Sequence, residues 1–528
     1  MENAMKKLSI VAVTSVVVAI GVAWGQGRGG AGWTTTRADA QRTAWVRTDA
    51  AISVEGVQKS DFSLQWVTKV GHTPRESISA GVSGNTAQLD PAPGNVAGSA
   101  NNLYAYEIDT GAIAWTKHFD VPAPATVTAA CPGGLTSGVT RETSLNPMVV
   151  GTILGGGRVS GVTVGRGAIG GVGAPGEGVP SQLVVRAARG GAAGVSGGGG
   201  AGAAGASGRP PGLRGAPAET YVIAGDGVVH AIGQAQGKEL KKPVQFLPAN
   251  ANASGLILIG NTMYTSTINN CGGVPNGVWA MDLSLPYPYP PWKSGASPVG
   301  EIALSSTGTL YVAIGDGTAG PNGYSDAIVA LDPKTLMVKD WFTLPGAAFS
   351  STPVIFSQGG RELLAAATKD GRIFLLDAAS LGGPDHKKPL ATSLATTTSK
   401  MWSPTALATW EDASQTRWLL LPAVGANSGI VAFKVAGDSL QQGWTSPAIA
   451  TPSVPIVVNG VVFAAAGGSA TTPAVLYALD GVTGKAIWNS GKTVKSSVKS
   501  AGLWSMSGQV YVATNDAMIY AFGTSMGR

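Results

Sequence analysis

This chain is short of charge. Asp, Glu, Lys and Arg make up 12% of its 528 residues, about half of the roughly 25% usual in soluble domains. The balance is +6 with no dense basic run, which excludes a nucleic-acid groove as its organising feature. Histidine is confined to His72, His118, His230 and His386, which share no metal-ligand spacing. Cysteine is confined to Cys131 and Cys271. With no His or second Cys near either, a metal site is disfavoured, and in an exported chain the pair is expected to form one disulfide. Closing so long a loop is worth roughly 4–5 kcal/mol in the chain-entropy model. Beyond the N-terminus no apolar run approaches membrane-spanning length.

Glycine, by contrast, is abundant at 76 residues, about twice the average share of roughly 7%, as many tight turns would require. At the N-terminus, Lys6 and Lys7 precede an almost wholly apolar stretch from Leu8 to Ala23. Ala23-Trp24-Gly25 then places small residues before a cut at Gln26. Residues 1–25 are therefore expected to be a signal peptide. A membrane anchor is the alternative, disfavoured by the short run, by Thr14 and Ser15, and by the cleavage site. No Cys follows the apolar run, so the expected location is periplasmic or secreted without lipidation. Residues 26–61 read as a polar lead-in.

The repeat is clearest at Leu476-Tyr477-Ala478-Leu479-Asp480-Gly481-Val482-Thr483-Gly484-Lys485-Ala486-Ile487-Trp488. An apolar strand, an Asp/Gly turn and a second strand ending in Trp spell a β-hairpin. Leu103 to Trp115 is a close copy, and weaker copies run through 221–246, 263–292, 310–341, 363–377 and 418–444. The tryptophans keep time: Trp66 to Trp115 and Trp292 to Trp341 are each 49 residues, and Trp444 to Trp488 is 44. Trp341 to Trp444 is 103 residues, two units with the middle Trp missing, and Trp115 to Trp292 is 177, two units plus an insertion. Periods of 40–50 residues built from four short strands predict an all-β propeller of four-stranded antiparallel blades. Phe62–Trp66 is an outer strand without its hairpin, and Gly508–Phe522 is a hairpin without its outer strand. Together they complete an eighth blade and close the ring with strands from both termini, so the propeller is placed at 62–523. The Gly/Ala-rich stretch 153–217 is expected to be a flexible insertion in the third blade. Asp109, Asp282, Asp332, Asp377 and Asp480 lie at hairpin turns and read as turn caps. Gly165-x-Gly167-x-x-Gly170 and Gly194-x-Ser196-x-Gly198 lie inside the insertion, without the strand-to-helix setting those motifs need.

Ala478–Trp488, echoed at Ala105–Trp115, resembles the tryptophan-docking repeat of pyrroloquinoline-quinone (PQQ) propellers. Asp39-Ala40-Gln41-Arg42-Thr43 resembles the start of quinoprotein alcohol dehydrogenases. The resemblance implies that Trp66, Trp115, Trp292, Trp341, Trp444 and Trp488 pack between blades, each a large aromatic wedge. It also implies PQQ, Ca²⁺ and oxidation of an alcohol or sugar. Two family marks are missing: the chain has no adjacent cysteine pair, and no Cys-x-x-Cys-His, so no haem is expected.

In a propeller the segments entering the innermost strands, and the loops between second and third strands, gather on one face. By that rule the cofactor candidates are Arg75, Glu76, Arg141, Lys400, Trp402, Lys499 and Trp504. The metal candidates are Glu142, Asn146 and Glu301, and Ser350 and Ser351 lie nearby. Arg and Lys suit quinone carboxylates, Trp offers a stacking face, and Glu and Asn offer oxygen ligands to Ca²⁺. The plain alternative is a set of solvated loop residues satisfying one another. Cys131 and Cys271 fall on the same face in neighbouring blades, compatible with a bridge. Two functions stay open: a PQQ-dependent dehydrogenase, or a non-catalytic envelope propeller that binds a protein or glycan. A monomer is expected in either case.

Overall fold

The structure is a computed structural model. It describes residues 33–47, 49, 51–59, 61–70, 94–98, 100–122, 127–143, 219–285, 287–317, 324–396, 405–425, 428–469 and 471–524. They form eight antiparallel sheets, the blades of an eight-bladed β-propeller. Blades are numbered from the one that closes the ring. Blade 4 runs from its inner to its outer strand as Ala253–Ile259, Thr262–Thr267, Gly277–Asp282 and Trp292–Lys293. Blades 5, 6, 7 and 8 repeat that order from Ala303, Val354, Ala408 and Ile456. Three strands of blade 2 are described, Gly94–Gly98, Asn102–Tyr106 and Ile113–His118. Three belong to blade 3, Glu219–Ile223, Val228–Gly233 and Val244–Gln245, with Thr140 bridging to Tyr221 on their inner side. Residues 1–25, expected to be a signal peptide, and the stretch 153–217, expected to be a flexible insertion, lie outside the described residues. Among the described residues no helix is long and apolar enough to cross a membrane.

Blade 1 closes the ring as the sequence implies. Val498–Met506, Gln509–Thr514 and Met518–Thr524 come from the C-terminal end, and Phe62–Lys69 pairs antiparallel with Met518–Thr524 as the outer strand. Neither end of the ring is left as a free edge, which removes the aggregation hazard of an unpaired strand. The second and third strands of most blades are buried along their length, as in Leu310–Ile314 and Ala327–Leu331. They therefore read as apolar runs, whereas the outer strand Ile113–His118 alternates half-buried and exposed positions.

The hairpin turns are held by the residues that mark them. Asp480 Oδ1 accepts from the amides of Val482 and Thr483, and the Gly484 amide donates to the Asp480 carbonyl at 2.8 Å. Asp332 accepts from the amides of Lys334 and Thr335 in the same way. Amide donation from Thr335 holds the Asp332 carboxyl below the usual range.

Three tryptophans reach from the outer strand of one blade to the turn of the next. Trp66 Nε1 donates to Ile108 O (2.7 Å), Trp115 Nε1 to Gln234 O (2.8 Å) and Trp444 Nε1 to Gly481 O (3.0 Å). Each ring lies on a turn glycine of positive φ: Gly111, Gly237 and Gly484. The other three meet different partners. At blade 5 Leu336 occupies the left-handed position (φ 55°) that Gly484 holds in blade 8, each donating to the turn Asp four residues earlier. Trp292 there has Tyr324 at 6.0 Å instead. Trp341 stacks on His386 at 3.8 Å, and Trp488 packs edge-on to Phe62 (4.9 Å) and Phe522 (5.5 Å).

The lead-in is the least expected part. Its carbonyls accept from inner-strand amides of successive blades, Ala40 from Leu304, Gln41 from Ile355, Thr43 from Thr409 and Ala44 from Val457, and Val46 accepts from Asn459 just past the inner strand of blade 8. Before these, Thr34 O accepts from the Arg141 amide and Thr35 Oγ1 donates to Leu256 O. After them, Asp49 Oδ2 accepts from the Gly508 amide. The contacts run through blades 3, 4, 5, 6, 7, 8 and 1 in order. Only a chain curling around the axis inside the ring can do this, and Trp45–Val46 adds a parallel fifth strand to blade 8.

Gly484 carries the first testable consequence. A Cβ there would lie 2.3 Å from the Trp444 ring at φ 72°, whereas one at Gly437 (φ 59°) would meet nothing within 4 Å. Gly437→Ala is expected to cost about 1–2 kcal/mol from backbone strain alone. Gly484→Ala is expected to cost a further 1–3 kcal/mol or so from overpacking, read from the two denaturation midpoints.

Candidate functional site

The lead-in brings buried charge to the axis. Arg42 is fully buried. Its Nε donates to Ile302 O at 2.8 Å, and its Nη1 to Thr36 O (2.7 Å), Thr36 Oγ1 (2.8 Å) and Thr35 Oγ1 (3.2 Å). The same Nη1 pairs with Glu301 Oε2 at 3.2 Å, an oxygen that also accepts from Thr36 Oγ1 at 2.7 Å. Arg37 lies near both Arg42 and Glu301, and burial pulls its guanidinium below its ordinary range. Asp39 accepts from the Thr43 amide (3.0 Å) and hydroxyl (2.5 Å) and pairs with Arg47 at 3.5 Å.

Holding these side chains inward takes an unusual backbone. Arg37, Ala38, Arg42 and Ala44 all have φ between 53° and 75°. Each such non-glycine residue costs about 1–3 kcal/mol and persists only where its surroundings over-determine it. Here the blade contacts supply that constraint.

The candidate residues fall in several places. Arg75, Glu76, Asn146, Lys400 and Trp402 lie outside the described residues, and Lys499 lies on the inner strand of blade 1. Arg141 is joined through its amide to Thr34, and burial lowers its guanidinium to about 10, still charged at neutral pH. Glu142 is exposed and bridges through its backbone to Leu258 of blade 4. Ser351 is buried and accepts from the Ala367 amide at 2.7 Å. Trp504 is not an open stacking face: it is fully buried, lies parallel to Tyr511 at 5.2 Å, and donates to Tyr106 Oη at 3.2 Å. Arg141 and Glu301 are thus both brought to the lead-in, from blades 3 and 5. The sequence reading did not put Arg37 and Arg42 at the site. The available signal was two arginines within six residues of a charge-poor chain.

Cys131 and Cys271 form a disulfide with Cα atoms 5.5 Å apart. It ties the segment leading into blade 3 to the loop after the second strand of blade 4. The carbonyl of Ala130 there accepts from Asn252 Nδ2 (2.8 Å) and Asn269 Nδ2 (3.0 Å).

The described donors fit a calcium ion poorly. Ca²⁺ takes six to eight oxygens, several of them carboxylate. Among the described residues no three of His, Cys, Asp and Glu group together to hold a metal. Of the axial carboxylates, Glu301 already faces the Arg42 guanidinium with Arg37 nearby, and Asp39 pairs with Arg47.

No protein-family model matches the chain, and no curated protein matches it in sequence. Solved structures do match in fold. The quinohemoprotein alcohol dehydrogenase of Pseudomonas putida HK5 superposes with a TM-score of 0.57 at 12% identity, covering 95% of this chain and 81% of its own. That of Comamonas testosteroni gives 0.54 at 15% identity, covering 94% and 81%. A europium-containing methanol dehydrogenase gives 0.56 at 12% identity, covering 94% and 98%. The chain therefore has the propeller fold of these quinoproteins.

Removing the Glu301 charge leaves Arg42 buried without its carboxylate. Breaking a buried pair in this way costs about 3–5 kcal/mol. With Glu301 partly open to solvent, Glu301→Gln is expected to lose about 2 kcal/mol or more, measured by denaturant unfolding.

Proposed function

We propose that this chain is an exported, quinoprotein-like propeller that acts as a non-catalytic binding protein, one of its faces engaging a protein or glycan of the cell envelope. The observation that carries the reading is the Arg42–Glu301 pair at 3.2 Å. A carboxylate neutralised by a buried guanidinium, with Arg37 nearby, repels rather than recruits the divalent ion that a calcium-dependent quinone site requires. The absence of an adjacent cysteine pair in the sequence supports the same reading. The basic leader and apolar run at the N-terminus support export.

A PQQ-dependent alcohol or sugar dehydrogenase is the second reading. Its support is the fold shared with the quinohemoprotein alcohol dehydrogenases and the suitability of Arg37 and Arg141 for carboxylates. PQQ would supply the redox-active quinone, with these arginines holding its carboxylates.

The two separate in one titration. Mature protein is mixed with PQQ, with and without Ca²⁺, followed by calorimetry and by dye reduction with a panel of alcohols and sugars. The non-catalytic reading expects no calcium-dependent binding and no dye reduction. Saturable calcium-dependent binding with turnover would establish the dehydrogenase instead.

A further inference from the structure

The connection from the third to the outer strand of blade 4 reads Leu285-Pro286-Tyr287-Pro288-Tyr289-Pro290-Pro291-Trp292. Proline has no amide to give to a strand ladder, so the outer strand begins only at Trp292. Proline also fixes its own φ and holds the residue before it extended. From Tyr287 to Pro291 every residue is a proline or precedes one, which makes the run a stiff polyproline II segment. It is anchored to the blade. Asp282 Oδ1 accepts from the Ser284 amide (2.9 Å) and hydroxyl (2.6 Å), and the Tyr289 amide donates to the Ala280 carbonyl at 2.9 Å.

Exposure along the run follows that geometry. A polyproline II helix repeats every three residues. Tyr287 and Pro290, three apart, are exposed, whereas Pro288, Tyr289 and Pro291 are half-buried. Tyr287 is 64% exposed and is the one exposed aromatic among the described residues. Leu285 is 38% exposed, and on the turn after the third strand of blade 5 Met337 is 70% exposed. Burial raises the Tyr264 hydroxyl to about 12, with Tyr289 and that turn's Asp332 adding to the shift, so segment and turn border the same side chain.

We infer that this segment is the docking surface for a protein partner, which takes Tyr287 and Pro290 into an aromatic-lined groove. The inference rests on the reading of the chain as a binding protein, and it names the class of partner and the part of the ring that meets it. A segment already stiff loses little conformational entropy on binding, and Tyr and Met are side chains that protein interfaces favour. Pro288, Pro290 and Pro291 carry no amide donor, and the Tyr289 amide is spent on Ala280. What remains is aromatic and pyrrolidine surface with acceptor carbonyls, a set that suits a groove whose indole and phenol groups donate. A glycan, whose hydroxyls need acceptors and donors alike, finds few donors here.

The test titrates the full mature chain by calorimetry with a purified SH3 domain and a purified WW domain, which serve as model grooves for proline-rich segments, and with soluble chitohexaose. Saturable one-to-one binding of at least one domain is expected, and none of the oligosaccharide. Tyr287→Ala and Pro290→Ala are each expected to weaken domain binding about tenfold or more. The unfolding midpoint of Tyr287→Ala is expected to stay at the wild-type value, because the ring lies in water. Val482→Ala, which truncates an exposed apolar side chain at the Asp480 turn instead, is expected to keep wild-type affinity. No binding of either domain at millimolar concentration, wild-type affinity in Tyr287→Ala, or oligosaccharide binding that Tyr287→Ala abolishes would overturn the docking surface. A chain that binds a domain and also reduces dye with PQQ keeps this surface and loses the non-catalytic reading, so the two tests fail separately.

Discussion

The axis of this propeller is closed by backbone hydrogen bonds between the lead-in and the inner strands of the blades. Five carbonyls from Ala40 to Val46 accept amides from blades 5, 6, 7 and 8, and the Thr34 carbonyl and the Thr35 and Asp49 side chains reach blades 3, 4 and 1. An inner strand has a neighbour in its blade on one side only, so its axis-facing amides need another acceptor. The lead-in provides it, at the cost of four non-glycine residues in the left-handed region. Its small residues fit the purpose, since Ala40 and Ala44 are completely buried where larger side chains would hold the chain off the strands. The same segment carries Arg42 to Glu301, so closure of the ring and construction of the axial site are one event.

The seams between blades are solved in more than one way. Where the following turn offers glycine, as at Gly111, Gly237 and Gly484, the tryptophan lies flat on the turn and donates to its backbone. Where it does not, the aromatic finds a histidine or another aromatic ring. A bulky apolar wedge at each seam matters more than one particular bond, because burial of the ring supplies most of its energy.

Much of this was legible in the sequence because it is local. Asp480 through Gly484 specifies its turn by side-chain acceptors and a positive φ that only nearby residues decide. The Trp spacing counts blades because each blade is one such hairpin plus two strands. Phe62–Trp66 and Gly508–Phe522 could be matched because each lacks what the other has, and Cys131 and Cys271 because topology puts them on one face. What was not legible is what depends on distant packing. Nothing near Ala40 announces that its partner is Leu304. Trp504 stands where a ligand-facing aromatic could stand, yet Tyr106 arrives from blade 2 to cover it beside its own cross-strand neighbour Tyr511. Glu301 reads as a free oxygen ligand until the lead-in lays Arg42 against blade 5.

Hydrogen exchange at the amides of Leu304, Ile355, Thr409 and Val457 tests the axial lead-in most directly. Their acceptors are all lead-in carbonyls. If the lead-in lines the axis of the folded ring, these four amides exchange in the slowest class, together with the amides of the blade interiors. Exchange at the rate of exposed loops, in a chain whose blade interiors remain protected, would contradict it.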